Sequence, residues 1–344
     1  MENFPKIGYV GVGRGLPEKV LTNDHLERMV DTSDEWIQQR TGIKTRRIMS
    51  EGETLLSITT DAARNAIENA GIDPQQISYI RIGVNSHMRF PSLATMVQRE
   101  LKIKDAQSAD ISAGCAGYIF AVEDALNHLA VEYARYGKKT YALVIGADAL
   151  SRIVDWTERA TCVLFGDGAG AAVLGPVESG EILATHTRTQ GEYTNLLYLD
   201  EFVYSPMKDS TNMTIETAFK TNYPFLHMEG RKVFPVAVRS MMADIKNVIA
   251  KYNHRADEPV ELSDIEFVFP HQANLRIVAA VQSGMKLKPE QVYRDGVINF
   301  GNTSAATIPI GYVDHWGKRP GAIEIDVSFG AGFASGAILR RNRD

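Results

Sequence analysis

Two stretches of this sequence run through the same order of patterns, and no other feature constrains the fold as much. In the first, Ser57 to Ala70 carries apolar residues at helical spacing (Ile58, Ala62, Ala63, Ala66, Ile67), and Gly71 supplies a helix stop. A turn at Asp73-Pro74 leads to an expected strand over Tyr79 to Val84, with His87 beyond it. A second strand, Ala109 to Ala113, ends in a tight Gly114-Cys115-Ala116-Gly117 turn, and a helix with Ile119, Val122, Leu126 and Leu129 on one face follows. A strand over Tyr141 to Ile145 and a hairpin-like Gly/Ala-rich segment, Phe165 to Leu174, complete the set. The second stretch replays it. Phe234 to Tyr252 reads as a helix with Phe234, Val238, Met241, Ile245 and Ile249 inward, and a strand over Ile265 to Phe269 leads to His271. A strand over Val297 to Phe300 ends in the turn Gly301-Asn302-Thr303-Ser304; after a helix, a strand over Ala322 to Val327 precedes a second Gly/Ala-rich segment, Phe329 to Leu339.

Strands alternating with helices predict an α/β fold with mostly parallel sheets. Two copies predict a pseudo-twofold, five-layered α/β/α/β/α body, with one half over residues 1–177 and the other over 178–344. The stretch from Gly191 to Pro224 fits neither copy; it is polar and irregular, with Tyr198, Phe202, Tyr204 and Phe219 scattered through it. A loop that long reads as a lid, a binding loop or a partner surface.

Composition closes off other classes. The chain is 44% hydrophobic and 23% charged, which excludes disorder, collagen and coiled coil. No apolar run reaches the ~18 residues of a membrane span, and the N-terminal residues show no secretory signal pattern. A cytoplasmic enzyme is therefore expected. A net charge of -5 argues against a nucleic-acid partner. The two cysteines, Cys115 and Cys162, cannot build a disulfide framework or a four-thiolate zinc site, and without an H-E-x-x-H pair no metal is expected. Two glycine patterns are decoys. Gly11-Val12-Gly13 leaves G-x-G-x-x-G incomplete at Leu16, and Gly166-Asp167-Gly168 runs into a strand where a dinucleotide site needs a helix.

Three residues carry candidate chemistry. Cys115 sits at a strand-to-helix turn among small residues, where free N–H groups and the helix dipole favour a thiolate; its alternative is an inert buried thiol. His271 ends a buried strand, and only His87, its counterpart in the repeat, has a comparable setting. Asn302 lies on the duplicate of the Cys115 turn; a tight turn that merely tolerates Asn reads equally well. If the halves pack about a twofold axis, the two turns and the His271 strand end meet at one spot.

These residues and their surroundings resemble the β-ketoacyl-acyl-carrier-protein synthase III family of the thiolase superfamily. The landmarks are Thr32 to Ile37 with Arg40-Thr41-Gly42-Ile43, Phe90-Pro91-Ser92, Ala113 to Gly117, Phe165 to Ala171, His271 to Arg276, Gly301 to Ala305, and Phe329 to Phe333. Seven ordered matches span nearly the whole chain. The resemblance implies a thiolase fold and a decarboxylative Claisen condensation. Cys115 attacks an acyl thioester and holds the acyl group, and malonyl-acyl-carrier protein then loses CO2 and attacks it. His271 and Asn302 would donate to the thioester oxygen, and the N–H groups of Cys115 and Ala331 would form an oxyanion hole. By the same resemblance Trp36 and Arg40 hold the adenine end of coenzyme A, with Arg159 on the same wall. Asn274 touches the pantetheine arm, Arg276 docks the acidic carrier protein, and Phe90 lines the acyl pocket across a homodimer interface. Substrates are coenzyme A and carrier-protein thioesters; neither a metal nor a redox cofactor is implied.

Departures from the family pattern bear on the pathway more than on the chemistry. Ala331 replaces a common glycine, Gly114 and Ala116 differ from the usual neighbours of the nucleophile, and Arg231 replaces a smaller polar residue. The Gly191 to Pro224 segment is longer than in fatty-acid starter enzymes. Fatty-acid initiation and a secondary-metabolite ketosynthase both remain open. So do a Cys-His-Asn thioesterase or hydrolase, acyl transfer to a nucleophile other than malonyl, and a non-catalytic thioester-binding protein.

Overall fold

The computed structural model describes residues 5–199 and 225–344. Its strands, in chain order, are β1 (Ile7–Gly15), β2 (Val20–Thr22), β3 (Thr45–Arg47), β4 (Ile77–Gly83), β5 (Gln107–Ile111), β6 (Tyr141–Ala149), β7 (Asp167–Pro176), β8 (Ile182–Thr189), β9 (Leu197–Leu199), β10 (Leu226–Met228), β11 (Ile265–Pro270), β12 (Ile323–Gly330) and β13 (Ala334–Arg341). The helices begin with α1 (Asn23–Glu27), α2 (Asp34–Thr41), α3 (Leu55–Ala70), α4 (Leu93–Glu100), α5 (Gly117–Tyr136) and α6 (Arg159–Cys162). In the second half come α7 (Gly230–Asn253), α8 (Leu275–Gly284), α9 (Asp295–Phe300) and α10 (Thr307–His315).

Two sheets carry the repeat, in the orders β1-β7-β6-β4-β5 and β8-β13-β12-β11. Helices α5 and α10 pack between them, α3 covers the outer face of the first sheet, and α7 and α8 cover the second. That is the five-layered α/β body. The sheets are mixed rather than mostly parallel. Only β4 with β5, β4 with β6, and β11 with β12 run parallel, while β7 and β13 each lie antiparallel to both of their neighbours. A short turn such as Ala331–Phe333 returns the chain beside the strand it left, which reverses its direction. The Gly/Ala-rich segment of the first half is accordingly one strand, β7, and not a hairpin.

The second copy departs at its edge. Val297 to Phe300, expected as a strand, is helical: it closes α9. The place of a fifth strand is held by a single parallel bridge between Val268 and Val292, with the Tyr293 N–H donating to the Val268 carbonyl at 2.9 Å.

Local chemistry explains the elements that set the frame. Thr54 caps α3, whose Ile58, Ala62, Ala63, Ala66 and Ile67 are buried, and Gly71 ends it at φ 66°. Small residues on α3 meet Gly11 and Gly13 on β1, where a Cβ would overlap the Ala70 and Ala66 backbone, so helix and strand touch main chain to main chain. That is the role of the glycine pattern near the N-terminus. Helix α7 buries Val233, Val236, Ala237, Met241, Ile245 and Val248, a face turned about one residue from the expected one; Phe234, Val238 and Ile249 lie at its margin. Of the Gly191 to Pro224 segment, Gly191–Tyr193 forms a 3-10 turn and β9 pairs antiparallel with β10. Phe202, Tyr204 and Phe219 lie outside the described residues.

Candidate active site

The first half presents Cys115 on the turn between β5 and α5. Gly114 has φ 55°, and a Cβ there would overlap the Ala331 nitrogen. A Cβ on Gly330 would overlap the Cys115 nitrogen in return. The nucleophile turn and the loop after β12 therefore cross in backbone contact. Ser328 Oγ donates to the Cys115 carbonyl at 2.9 Å from the same strand.

The second half presents His271 just beyond β11 and Asn302 just beyond α9. His271 is 1% exposed; its Nδ1 lies 2.7 Å from the Thr307 hydroxyl, and its buried Nε2 has no partner. Burial with no compensating charge lowers the imidazole pKa to about 3, so the ring is neutral. Asn302 Oδ1 accepts from the Ser304 N–H at 2.9 Å, which leaves the amide nitrogen as its remaining side-chain donor. Its backbone is stitched to the first half: Asn302 N–H donates to the Leu164 carbonyl at 2.9 Å, and Gly166 N–H to the Asn302 carbonyl at 3.0 Å.

Cys115, His271, Asn302, Asn274 and Ala331 all line one cavity of about 500 Å³, whose apolar wall includes Leu164, Leu197, Met228 and Phe234. Volume and lining fit an extended, largely apolar ligand with a few polar anchors. Burial pushes the Cys115 thiol up to about 12, with Asp148 adding to the rise and Ser304 opposing it. That direction favours the protonated thiol at rest. Cys162 is fully buried, with its thiol pushed up to about 11, the setting of an inert cysteine.

The remaining candidates lie outside that lining. The Arg159 guanidinium sits 4.6 Å from the Trp36 ring centroid and donates to the Asp31 carbonyl at 2.8 Å. Arg40 is exposed at the end of α2, and its carbonyl accepts from Asn274 Nδ2 at 3.2 Å. Asn274 also caps α8, accepting from the Arg276 N–H at 2.8 Å. Arg276 is exposed, 6.0 Å from the Phe234 ring centroid. Phe90 is 94% exposed and is not part of the lining of the Cys115 cavity. His87 points elsewhere, its Nε2 3.0 Å from the Pro91 carbonyl. In that segment it is Asn85, two positions earlier, that lines the cavity. Asn85, Ser304 and Thr307 were not singled out from sequence; their nearness to His87 and Asn302 was the available signal.

Comparison with known proteins decides the family. The model of 3-oxoacyl-[acyl-carrier-protein (ACP)] synthase III matches residues 109–191, and that of its C-terminal part matches residues 256–341. The β-ketoacyl-[acyl-carrier-protein] synthase III of Geobacillus kaustophilus is 40% identical over 97% of this chain and 98% of that protein. The chain belongs to the β-ketoacyl-acyl-carrier-protein synthase III family. It is an enzyme with the thiolase fold of that family. The solved synthase III of Aquifex aeolicus superposes with a TM-score of 0.83 at 38% identity, covering 98% of this chain and 99% of that one. The priming β-ketosynthase of the R1128 polyketide pathway does so with a TM-score of 0.84 at 27% identity, covering 100% and 98%.

Proposed function

We propose that the protein joins an acyl group from coenzyme A to the two-carbon unit of malonyl-acyl-carrier protein, by a ping-pong condensation through acyl-Cys115. One observation carries the reading: a cysteine from one half and a neutral imidazole and a carboxamide from the other line the same cavity. In the first half-reaction the Cys115 sulfur attacks the thioester carbonyl, its proton leaves with the coenzyme A sulfur, and the Cys115 and Ala331 N–H groups receive the tetrahedral oxyanion. In the second, the malonyl carboxylate departs as CO2 while negative charge moves onto the thioester oxygen. With the Thr307 hydroxyl donating to Nδ1, His271 carries its proton on Nε2 and, with the Asn302 amide, donates to that oxygen. The carbanion attacks acyl-Cys115, expelling the thiolate, which regains a proton. Neutral donors suit this step, because a fixed cation would also stabilise the carboxylate that must leave.

The stacked Trp36 and Arg159, with Arg40, are the surface for the coenzyme A nucleotide. Asn274 meets the pantetheine arm and Arg276 the acidic carrier protein. A homodimer is supported by the outer edge of β5, which has no strand beside it among the described residues, and by the exposed Phe90, which would line the partner's acyl pocket. The reaction calls on no resident metal or redox cofactor. No helix among the described residues is long and apolar enough to cross a membrane, and a cytoplasmic site of action is part of the proposal.

Incubation with acyl-coenzyme A thioesters of graded length, read by intact mass, followed by malonyl-acyl-carrier protein, tests it. A stable acyl adduct on Cys115 and a β-ketoacyl product support condensation; rapid loss of the adduct to water with no carbon–carbon product points to a hydrolase. Preference for short primers identifies fatty-acid initiation. Preference for chains beyond about eight carbons excludes it and favours a pathway-specific ketosynthase.

A further inference from the structure

Next to Cys115 lies a chain of polar contacts that the condensation scheme does not use. Ser304 Oγ donates to the Cys115 sulfur at 3.5 Å. Asn85 Nδ2 donates to that same Ser304 oxygen at 3.3 Å, and also to the Gly114 carbonyl at 3.1 Å and Asp148 Oδ2 at 3.0 Å. Asp148, fully buried on β6, further accepts from the Asn85 and Ser86 N–H groups at 2.9 and 2.8 Å and from Ser86 Oγ at 2.8 Å.

The hydrogen-bond inventory fixes the direction of every link. A carboxylate and a carbonyl can only accept, so the Asn85 side chain must present nitrogen to both. A nitrogen so oriented can only donate to Ser304. The amide has two hydrogens for three acceptors, so its contact with Ser304, the longest of the three, is a shared donation to that oxygen, and the Ser304 hydroxyl in turn donates to the sulfur. The backbone makes the same commitment. Ser304 has φ 54°, a region that side-chain-bearing residues seldom occupy, and it lies two residues after Asn302, whose Oδ1 holds the Ser304 N–H. The strained residue is the one whose hydroxyl reaches the nucleophile.

Resting on the ketosynthase reading above, we propose that Ser304 is a further catalytic residue, stabilising the Cys115 thiolate as it is expelled or forms, and that Asn85, anchored by Asp148, is its positioning residue. The hydroxyl keeps its proton throughout. It shortens no bond in the substrate; it offers the sulfur a donor whenever the sulfur carries charge, in a cavity whose burial otherwise disfavours the anion. The other titratable groups facing this site are His271, neutral, and Asp148, whose charge opposes the thiolate.

Iodoacetamide alkylation of Cys115 in the full-length protein, followed by peptide mass across about pH 6 to 10, is the test. Ser304→Ala keeps the Cβ and the strained backbone and removes only the donor. Its alkylation profile is expected to move to higher pH, with the rate at a fixed pH below the shifted value falling about tenfold. Asn85→Ala, which leaves Ser304 in place, moves the profile the same way by less. In parallel, the rate of Cys115 acylation falls in both variants while KM for the acyl-coenzyme A stays near wild type, a split that general loosening of the site would not give. A Ser304→Ala profile superimposed on that of the wild type overturns the proposal. If Ser304→Ala does not fold, an unchanged Asn85→Ala profile overturns it instead. The alkylation result is independent of condensation, so wild-type protein that alkylates as expected but never takes an acyl group breaks the ketosynthase reading and leaves the assignment of Ser304 to be judged on its own profile.

Discussion

The two turns that meet at the cavity come from equivalent places in the repeat, yet they are built and used differently. Gly114-Cys115 follows a true strand, β5, and opens the 20-residue helix α5. Gly301-Asn302 follows a helix, α9, where the second copy has lost its fifth strand. On the proposed mechanism the first turn offers a sulfur that becomes bonded to substrate. The second offers donors that stay as they are: an amide whose oxygen is tied to its own loop, and nearby an imidazole too buried to charge. On the proposed mechanism, one turn of the repeat takes the bond-making and the other the charge-holding.

The sharpest way to break that division is to remove the sulfur. Cys115→Ala should abolish acyl loading and lower condensation by a factor on the order of 10⁴ or more, as loss of a covalent nucleophile does elsewhere. Release of CO2 from malonyl-acyl-carrier protein should persist, because its donors sit on the other half. Loss of both activities together would mean that the two turns do not divide the labour.

Removing either donor is the reciprocal experiment. His271→Ala or Asn302→Ala should leave Cys115 acylation within a few-fold of wild type and cut condensation by roughly 10²–10³, the cost of one oxyanion donor. With the imidazole pKa lowered to about 3, the second half-reaction should show no ionisation of His271 between about pH 5 and 8. The same burial carries a stability cost with a definite sign. As pH falls, the unfolded chain takes up a proton near the ordinary histidine value while the folded chain does not. The contribution is therefore complete above about pH 6.5 and is lost progressively as pH falls toward about 3. His271→Gln should flatten that part of an acid-denaturation curve; an unchanged curve would show the ring to be charged in the fold.

Backbone substitutions read the contact between the halves. Gly114→Ala puts a methyl into the Ala331 nitrogen at φ 55°, whereas Gly301→Ala, at φ 66°, brings one to 2.9 Å of the Leu164 carbonyl. Both should destabilise by about 1–3 kcal/mol, which a melting curve reports as a drop of a few degrees. Only Gly114→Ala should also slow acylation, since only it displaces the paired N–H groups.

Much of this was legible before any coordinates, and the failures have physical causes. Helix α3 declares itself by a full apolar stripe and a glycine stop, and Cys115, His271 and Asn302 by their place in a repeat. Val297 to Phe300 is apolar enough for either a strand or a helix, and four residues contain too little periodicity to choose. Sheet direction was misread because the Gly/Ala-rich segments, β7 and β13, give no sign of which neighbour they pair with. A sequence displays the helix that follows Cys115 but not the burial that pushes its thiol up. Asn85 and Ser304 were missed for a related reason: an amide and a hydroxyl become informative only when their acceptors are known, and those acceptors, Asp148 and Cys115, are distant in the chain.

The smallest effect belongs to the mouth of the site, where the comparison between halves continues with residues that touch no reacting atom. Arg159 lies over Trp36 on the first half, and Arg276 beside Phe234 on the second. A guanidinium over an indole at an exposed position is worth about 0.5–1 kcal/mol, so Arg159→Ala should raise KM for an acyl-coenzyme A two- to five-fold with kcat unchanged. The effect should vanish when the acyl donor is an N-acetylcysteamine thioester, which has no nucleotide to hold. Arg276→Ala should do the opposite, leaving acyl-coenzyme A untouched and weakening malonyl-acyl-carrier protein, more so at low salt than at high. Were both substitutions to act on the same substrate, the mouth would be one surface serving one partner, and the separation of roles seen at the two turns would stop at the cavity.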